Sequence, residues 1–248
     1  MKRLIERLGN FLAILGLPRG LGLKLGQKAF NLQDFQLCQR LHRAGLKPAT
    51  IIDVGANIGQ FALSATTFFP EAIIHSYEPV PAAFQELEKL SQHHQAIHPI
   101  QCALGASPGT AQLHITSQTQ SSSLLPLHTN HRKAYPQVRE ENQTGVTVRL
   151  LSEELERLKP RPPVLLKLDV QGYESEVLRG AGATLPGVEW IILETCTRPM
   201  YENEVLFEEL CLLLKEKGFH FLTPMDIHFT PTGQPAQFDA LFVKTLKG

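Results

Sequence analysis

An acidic residue and two glycines lie close together in the run IIDVGANIGQF at 51–61. Asp53 belongs to a short β-branched run, and Gly55 and Gly59 follow it four positions apart. Apolar residues then recur at helical spacing from Ile58, so the pattern predicts a strand, a glycine turn and a helix. The first amides of a helix lack partners within the helix and attract negative charge or lone pairs. We therefore expect a small ligand around Asp53, Gly55, Ala56, Asn57 and Gly59.

The glycine spacing distinguishes between nucleotide ligands. A phosphate-binding loop ends in Gly-Lys-Ser/Thr, and this run does not. A dinucleotide fingerprint has glycines at its first, third and sixth positions, where this chain has Gly55, Asn57 and Gln60. The remaining spacing suits a ligand whose tight contact is a small amino-acid end without phosphates. S-adenosylmethionine (AdoMet) has that shape.

A second acidic residue ends the next predicted strand. Glu78 closes the run IIHSYE, and Pro79 after it prevents further pairing of the strand. An ionised carboxylate only accepts hydrogen bonds and can take two donors at once, so Glu78 suits the two hydroxyls of a ribose. The ribose of NAD would fit equally well, so Glu78 supports the glycine argument without deciding it.

The run LLKLDVQGYESEVLRGA at 165–181 brings further polar groups to a predicted strand end. By the two-residue period of a strand, Lys167 and Asp169 share one face. Ligands of parallel sheets bind beyond the carboxyl ends of the strands, which places Asp169 near the expected ligand. Glu174 then falls in the first turn of the next helix, where a favourable interaction with the helix dipole is the structural alternative to a catalytic role.

The scaffold for these groups is predicted from residue 50 onward, where strands alternate with helices. Strands are expected near 51–55, 73–78, 97–103, 164–169, 189–194, 219–223 and 238–244. Helices are expected near 57–68, 81–92, 151–158, 174–184 and 204–217. This order indicates a mostly parallel sheet covered on both faces. No helix separates the last two strands, so they should pair antiparallel across a turn that contains Gly233.

The segment 106–148 interrupts the alternation. Its Ser/Thr/Gln-rich middle lies between two candidate strands, AQLHI and VTVRL, which predicts an inserted hairpin with a long loop. Long loops in compact domains often cover binding sites, so a lid over the ligand is one interpretation and a disordered tip is the other.

Residues 1–49 are predicted to form an N-terminal helical cap, followed by one domain at 50–248. Apolar residues follow helical spacing at Leu4, Ile5, Leu8, Phe11, Leu12 and Leu15, but polar residues interrupt them. The stretch is too short to span a bilayer and lacks a signal-peptide cleavage pattern. Packing on the main domain is favoured, and attachment to a membrane surface is the alternative.

Composition excludes several classes of protein. The 248 residues carry 24 Lys+Arg and 24 Asp+Glu, so nothing indicates a dedicated nucleic-acid binder. The four cysteines match neither a zinc site nor a disulfide framework, which favours inert thiols in a reducing, cytoplasmic setting. Oligomeric state cannot be inferred from these features.

The chain resembles the FkbM-type methyltransferases, a family within the class I AdoMet-dependent fold. The matching stretches are IIDVGANIGQF, YEP (77–79), ALG (103–105), SSSL (121–124) and, most specifically, LLKLDVQGYESEVLRGA. The resemblance spans roughly 50–245 and implies a Rossmann-like α/β fold with seven strands and an antiparallel last strand. It also implies AdoMet-dependent O-methylation of a hydroxyl on a small molecule, a sugar or a glycan.

Methyl transfer to a hydroxyl is an in-line displacement that a nearby base assists. Asp169 is the first candidate for that base, and positioning of AdoMet or the acceptor is its alternative. Lys167 would orient the acceptor or keep Asp169 ionised, unless the ion pair is purely structural. Many enzymes of this class place an Asp for adenine after the third strand, where this chain has Cys102 and Ala103. Adenine contacts there should be apolar or come from the backbone.

Histidines are weaker candidates. His128 and His131 lie in the insertion and could supply a base, although loop histidines are usually solvated. His93, His94 and His98 flank a helix end without a fourth ligand, so no metal site is expected there.

A catechol-type cation site would combine Asp169 with an Asp-Asn pair after the fifth strand, but that strand ends Leu193-Glu194-Thr195. No metal is therefore expected.

Other functions make different demands on the same positions. Enzymes that methylate amino groups commonly carry an Asn/Asp-Pro-Pro-Tyr-like run where this chain has Asp169-Val170-Gln171-Gly172, which argues against nucleic-acid substrates. A non-catalytic AdoMet-fold binding protein remains an alternative, because a fold does not guarantee activity. An NAD-dependent oxidoreductase is a more distant one, because Asn57 would crowd the pyrophosphate.

Overall fold

The computed structural model describes residues 27–183, 185–229, 233 and 235–245. The amphipathic stretch predicted at residues 4–15 lies outside the described residues. Residues 1–49 therefore contribute one described helix to the fold, and the boundary predicted at residue 50 stays a prediction.

The core of the molecule is a seven-stranded sheet with helices on both faces. The strands of the molecule in chain order, including the three strands β4, β5 and β6 of a second sheet, are β1 (Thr50–Val54), β2 (Ile73–Tyr77), β3 (Ile97–Ile100), β4 (Ala103–Leu104), β5 (Gly109–Thr116), β6 (Glu140–Arg149), β7 (Val164–Leu168), β8 (Val188–Cys196), β9 (Phe219–Phe229) and β10 (Pro235–Lys244). The order across the large sheet is β3-β2-β1-β7-β8-β10-β9. Strand β10 runs antiparallel to both of its neighbours, β8 and β9. The other five strands of this sheet, β3, β2, β1, β7 and β8, run parallel to one another. The predicted fold class is confirmed.

The helices cover the two faces of this sheet. They are α1 (Leu32–Arg43), α2 (Gln60–Phe68), α3 (Pro81–Ser91), α4 (Thr129–Ala134), α5 (Leu151–Leu158), α6 (Glu174–Gly180) and α7 (Phe207–Glu216). Every residue of β1 and β7 is buried, which explains why both strands are continuous apolar runs with few polar residues. None of the described helices is long and apolar enough to cross a membrane.

Helix α1 packs against α2 through an apolar stripe. Phe35, Leu37, Cys38 and Leu41 are buried on its inner face, and the Cys38 thiol lies 3.9 Å from the carbonyl oxygen of Phe61. Asn31 caps the helix because its side chain accepts a hydrogen bond from the Gln33 amide at 2.8 Å. The described end of the N-terminal region is thus part of the core layer above β1.

The insertion forms a second sheet of three strands in the order β4-β6-β5. Strands β5 and β6 pair antiparallel, so the hairpin expected from AQLHI and VTVRL is present. The single strand predicted at 97–103 is wrong in one respect, because it divides at Gln101. Strand β3 stays in the large sheet, whereas Ala103 and Leu104 pair with β6.

The helix predicted at 174–184 ends earlier, at Gly180. A Cβ on Gly180 would lie 2.0 Å from the carbonyl oxygen of Gly105, so this residue must be glycine for the helix to reach β4. Gly182 follows with φ +69°, a left-handed conformation that commonly terminates helices.

Candidate active site

A cavity of about 360 Å³ opens at the carboxyl ends of β1, β2, β7 and β8. The order of the sheet reverses between β1 and β7, and ligands of such sheets bind at that reversal. Residues 118–124 of the insertion also line the cavity. We divide its walls into a β2 half, formed by Glu78, Pro79, Cys102 and Ala103, and a β8 half, formed by Asp34, Asp169, Gln171, Glu194 and Asp239.

The turn after β1 brings two main chains unusually close together. Gly55 has φ +81°, and a Cβ there would lie 1.8 Å from the carbonyl oxygen of Asp169. The amides of Gly55 and Ala56 both donate to the carbonyl oxygen of Tyr77, at 3.0 and 2.9 Å. These two amides are therefore engaged by β2, and the turn presents Gly55, Ala56 and Asn57 to the cavity as a fixed edge.

Gly59 and Asp53 lie behind this edge. A Cβ on Gly59, which has φ +91°, would lie 2.5 Å from a methyl group of Leu90, so this glycine allows α2 to pack on α3. The Asp53 side chain is fully buried below the cavity. Neither residue lines the cavity, so the geometry does not support the direct ligand contact that we expected of them.

Glu78 lies in the β2 half and is 4% exposed. Its Oε1 accepts a hydrogen bond from the Val80 amide and its Oε2 from the Asn57 amide, both at 2.7 Å. Burial raises the pKa of Glu78 to about 7, although these two amide donors oppose the shift. The carboxylate thus links the end of β2 to the turn after β1 and still faces the cavity.

The rest of the β2 half is apolar. Pro79, Cys102 and Ala103 line it. Burial raises the pKa of the Cys102 thiol to about 11, so the thiol is neutral.

Lys167 lies at the centre of the site, between two strands. Its ammonium is 3.3 Å from Asp169 Oδ2 and 3.4 Å from Asp53 Oδ1, and it lies 5.3 Å from the centre of the Phe61 ring. Burial lowers the pKa of Lys167, but the carboxylates of Asp169 and Asp53 outweigh burial and raise it overall. The lysine is therefore charged. Burial raises the pKa of Asp53 and Lys167 opposes that shift.

Asp169 follows the last residue of β7 and faces the cavity with a side chain that is 36% exposed. Its Oδ2 faces Lys167 and its Oδ1 accepts a hydrogen bond from Gln171 Nε2 at 2.8 Å. Its amide donates to the Val54 carbonyl oxygen at 3.0 Å, which fixes the backbone against β1. The structure thus brings Asp169 and Lys167 together as the two-residue strand period predicted.

Gln171 is a site residue that the sequence analysis missed. Its Nε2 also donates to Glu194 Oε2 at 2.6 Å, and its Oε1 accepts from the Tyr201 hydroxyl at 2.6 Å. Its carbonyl oxygen accepts from Ser123 Oγ at 2.7 Å. The left-handed backbone at φ +58° allows one residue to reach all of these partners. Its place in the turn after Asp169 was the signal available in the sequence.

Three acidic residues of the β8 half were also missed as site residues. Glu194 lies two residues before the end of β8 and opposite Asp239 of β10, and Asp34 comes from the first turn of α1. Burial raises the pKa of Asp34 and of Asp239 to about 7 each, with Asp169 adding to the shift at Asp239. Their elements are remote in the chain, so local patterns gave no signal except that Glu194 ends a predicted strand.

Glu174 does not line the cavity. It is 2% exposed, and its Oε1 accepts a hydrogen bond from the Val170 amide at 2.9 Å. Burial raises its pKa to about 8. The geometry fits the structural alternative, in which this side chain closes the turn that leads into α6.

The two histidines of the insertion differ. His131 lines the cavity between the rings of Tyr135 and Tyr201, is 2% exposed, and has a pKa that burial lowers. His128 caps α4, where its Nδ1 accepts from the Asn130 amide at 3.1 Å. Within the described part of the chain, no three His, Cys, Asp or Glu side chains are grouped to hold a metal ion.

Comparison with known proteins gives a consistent result. The sequence model of the family described as "Methyltransferase FkbM domain" matches residues 53–221. "Methyltransferase 1" of Beauveria bassiana is 30% identical over 181 residues, covering 68% of this chain and 71% of that protein. The 31-O-demethyl-FK506 methyltransferase FkbM of Streptomyces tacrolimicus is 26% identical and covers 79% of this chain and 82% of its own.

Two further similarities are more distant. The hexuronic acid methyltransferase AglP of Haloferax volcanii is 27% identical over 145 residues, covering 57% of this chain and 54% of that protein. Among solved structures, fibrillarin of Aeropyrum pernix in complex with S-adenosyl-L-methionine aligns with a TM-score of 0.45 and 14% identity, over 83% of this chain and 76% of that chain. A likeness at that level carries no argument about function.

Proposed function

We propose a function for this chain, which belongs to the FkbM methyltransferase family. It transfers the methyl group of AdoMet to a hydroxyl of a small molecule, a sugar or a glycan. One observation carries the proposal. A single cavity joins a half with one buried carboxylate and apolar walls to a half with several carboxylates at the ends of β7 and β8. The first half suits a nucleoside, and the second suits a group that donates hydrogen bonds.

The residues of the β2 half fit AdoMet. Glu78 offers a buried carboxylate to the ribose hydroxyls, and its remaining lone pairs are free to accept two further donors. Pro79, Cys102 and Ala103 would contact the adenine, and Gly55 to Asn57 would contact the amino-acid end. When bound, AdoMet supplies a methyl group activated by the positive charge of a sulfonium.

In the β8 half we assign the handling of the acceptor to Asp169. Its carboxylate accepts a hydrogen bond from a group of the acceptor beside the reacting hydroxyl and so directs that hydroxyl toward the β2 half. Lys167 places a positive charge beside that carboxylate, and Gln171 donates to its other oxygen. Such positioning contributes much of the rate of displacement reactions.

Relatives support a hydroxyl acceptor. One of them is a 31-O-demethyl-FK506 methyltransferase, whose name describes transfer to an oxygen, and another is a hexuronic acid methyltransferase, whose name describes a sugar acid as acceptor. The insertion would close over such an acceptor, because residues 118–124 form one wall of the cavity. We also propose a cytoplasmic location, which the four free thiols support. Nucleic acid is not proposed as a partner.

The proposal is tested by calorimetry with AdoMet and S-adenosylhomocysteine, with NADH as the control ligand. Binding of the first two and not of NADH is expected. Transfer of labelled methyl is then measured with D-glucose, D-glucuronic acid and D-glucosamine, which present similar hydroxyls at different charge. Binding of NADH alone would favour the oxidoreductase alternative. Binding of AdoMet without methylation of these or larger hydroxyl acceptors would favour a non-catalytic protein.

A further inference from the structure

Glu194 and Asp169 share one hydrogen-bond donor at the edge of the cavity. Gln171 Nε2 is 2.8 Å from Asp169 Oδ1 and 2.6 Å from Glu194 Oε2. The distance between Asp169 Oδ1 and Glu194 Oε2 therefore cannot exceed the sum of these two hydrogen-bond lengths. Both side chains line the cavity, so one acceptor molecule in the β8 half has both carboxylates in its wall.

The two carboxylates have different surroundings. Asp169 receives an N–H donor on each oxygen, and one of these donors is the ammonium of Lys167. The hydrogen bond of Glu194 to Gln171 comes from a neutral amide. An ionised Asp169 is therefore directly compensated, whereas an ionised Glu194 is not compensated to the same degree.

The charges around Glu194 oppose its ionisation. Burial raises the pKa of Glu194 well above the ordinary range of glutamate, and Asp169, Asp239 and Glu174 raise it further, against the lowering effect of Lys167. The other titratable groups that sense its charge are Tyr135, Cys196 and Tyr201. A base with a raised pKa holds a transferred proton more firmly than an ordinary carboxylate does.

We infer that Glu194 receives the proton of the reacting acceptor hydroxyl, while Asp169, which accepts a hydrogen bond from a neighbouring group of the acceptor, orients that hydroxyl for attack. The inference rests on the proposed function. The hydroxyl oxygen forms a bond to the methyl carbon, and the bond between that carbon and sulfur breaks with its electron pair left on sulfur. The O–H bond breaks and its proton passes to Glu194. The products are a methyl ether, the neutral thioether S-adenosylhomocysteine and a protonated Glu194, which then returns its proton to solvent.

The first test is infrared titration of carboxyl groups in the protein with S-adenosylhomocysteine bound, and it needs no acceptor. Wild type is compared with Glu194→Gln and with the matched control Glu189→Gln, which lies near the other end of β8. We expect a protonated carboxyl signal that titrates well above about pH 4.3, the ordinary value for glutamate. Glu78, Glu174, Asp34 and Asp239 also have raised pKa values, so the contribution of Glu194 is read from the wild type minus Glu194→Gln difference spectrum. That difference should contain a carboxyl band that titrates well above the ordinary value for glutamate, and the wild type minus Glu189→Gln difference should not. Absence of the band from the first difference would overturn the inference.

The second test is labelled methyl transfer to whichever of the three hexoses wild type methylates fastest. Because the ionised form of Glu194 is the active one, the rate should rise with pH through its raised pKa. Glu194→Gln should lower kcat by about 10²–10⁴-fold and remove this acidic limb. Asp169→Asn should lower kcat and keep the limb. A Glu194→Gln variant with wild-type kcat and an unchanged limb contradicts the assignment.

Calorimetry on the same samples distinguishes failure of the proposed function from failure of the role assigned to Glu194. If wild type binds neither AdoMet nor S-adenosylhomocysteine, the proposed function fails. If wild type and Glu194→Gln both bind AdoMet and both show the same carboxyl titration, only the role of Glu194 fails.

Discussion

The two halves of the cavity are built in different ways. In the β2 half, Glu78 is held by the backbone amides of Asn57 and Val80, and its neighbours are apolar. In the β8 half, polar side chains from α1, β8, β10 and the turn after β7 meet around Lys167. The first half depends on the local path of the main chain, whereas the second depends on distant elements packing together. We therefore expect substitutions in the two halves to affect different properties.

Removal of the positive charge of Lys167 should give the largest effect, which is on folding stability. Lys167→Met leaves Asp53 buried without a countercharge, and breaking a buried ion pair in this way costs about 3–5 kcal/mol of folding stability. Urea unfolding measures this loss. Lys167→Met combined with Asp53→Asn should recover part of it, because no uncompensated charge then remains. A stable Lys167→Met protein whose only defect is a raised KM for the acceptor would instead indicate that Lys167 contacts the acceptor.

The next effect concerns turnover. Asp169→Asn keeps the shape of the side chain but loses the charge that faces Lys167, so the acceptor hydroxyl should be misaligned. We expect kcat to fall about 100-fold, as for small misplacements of reacting groups, with little change in AdoMet affinity. Methyl transfer at saturating AdoMet, together with calorimetry, provides the measurement. A parallel loss of AdoMet affinity would mean that Asp169 belongs functionally to the β2 half.

A substitution in the β2 half should instead lower the affinity for the cofactor. Glu78→Gln should weaken S-adenosylhomocysteine binding by about 1–3 kcal/mol, because hydrogen bonds to a charged acceptor are lost. Glu88→Gln, on the exposed face of α3, serves as the control.

Glu78→Gln should also remove the pH dependence of ligand affinity. Glu78 has a pKa of about 7 when free, so ligand binding to its ionised form must weaken as pH falls below that value. In Glu78→Gln the affinity should be flat over this range. Unchanged affinity and an unchanged pH profile would mean that the ribose is held elsewhere.

The smallest expected effect concerns the charge of the acceptor. Asp34, Glu194 and Asp239 line the β8 half, where we propose that the acceptor binds. Above about pH 7, where Asp34 and Asp239 are ionised, D-glucuronic acid should therefore be methylated less efficiently than D-glucose. A penalty of about 1 kcal/mol, which is roughly 5-fold in kcat/KM, is reasonable for partly screened like charges. Asp239→Asn should narrow this gap. Equal or faster transfer to the hexuronic acid would show that the β8 half does not select by charge.

The difference between the halves also explains what the sequence could predict. The turn at Gly55 and the carboxylate at Glu78 follow directly after short strands, so local patterns located them. Lys167 and Asp169 were found for the same reason, because they alternate along one strand. Gly59 shows the limit of such patterns, since spacing alone does not tell which side of a turn faces the ligand.

The residues that were missed depend on contacts between remote segments. Glu194 and Asp239 become neighbours only because β10 enters the sheet antiparallel beside β8, and Asp34 joins them only because α1 packs on α2. The division of the strand predicted at 97–103 has a similar origin, since its last residues pair with the far strand of the insertion. Nothing in the local sequence records these partners.

The close approach of Gly55 to Asp169 joins the two halves of the cavity through the main chain. Strands β1 and β7 are direct neighbours in parallel register, and the Asp169 amide bonds to Val54 where the two strands end. The spacing between these two strand ends is therefore set by the main chain and is comparable to the 4.7–4.9 Å between adjacent strands. Side chains of the β8 half can be exchanged without altering that spacing. If the proposed function holds, acceptor preference can thus diverge within this architecture while the main chain between the two halves stays constant.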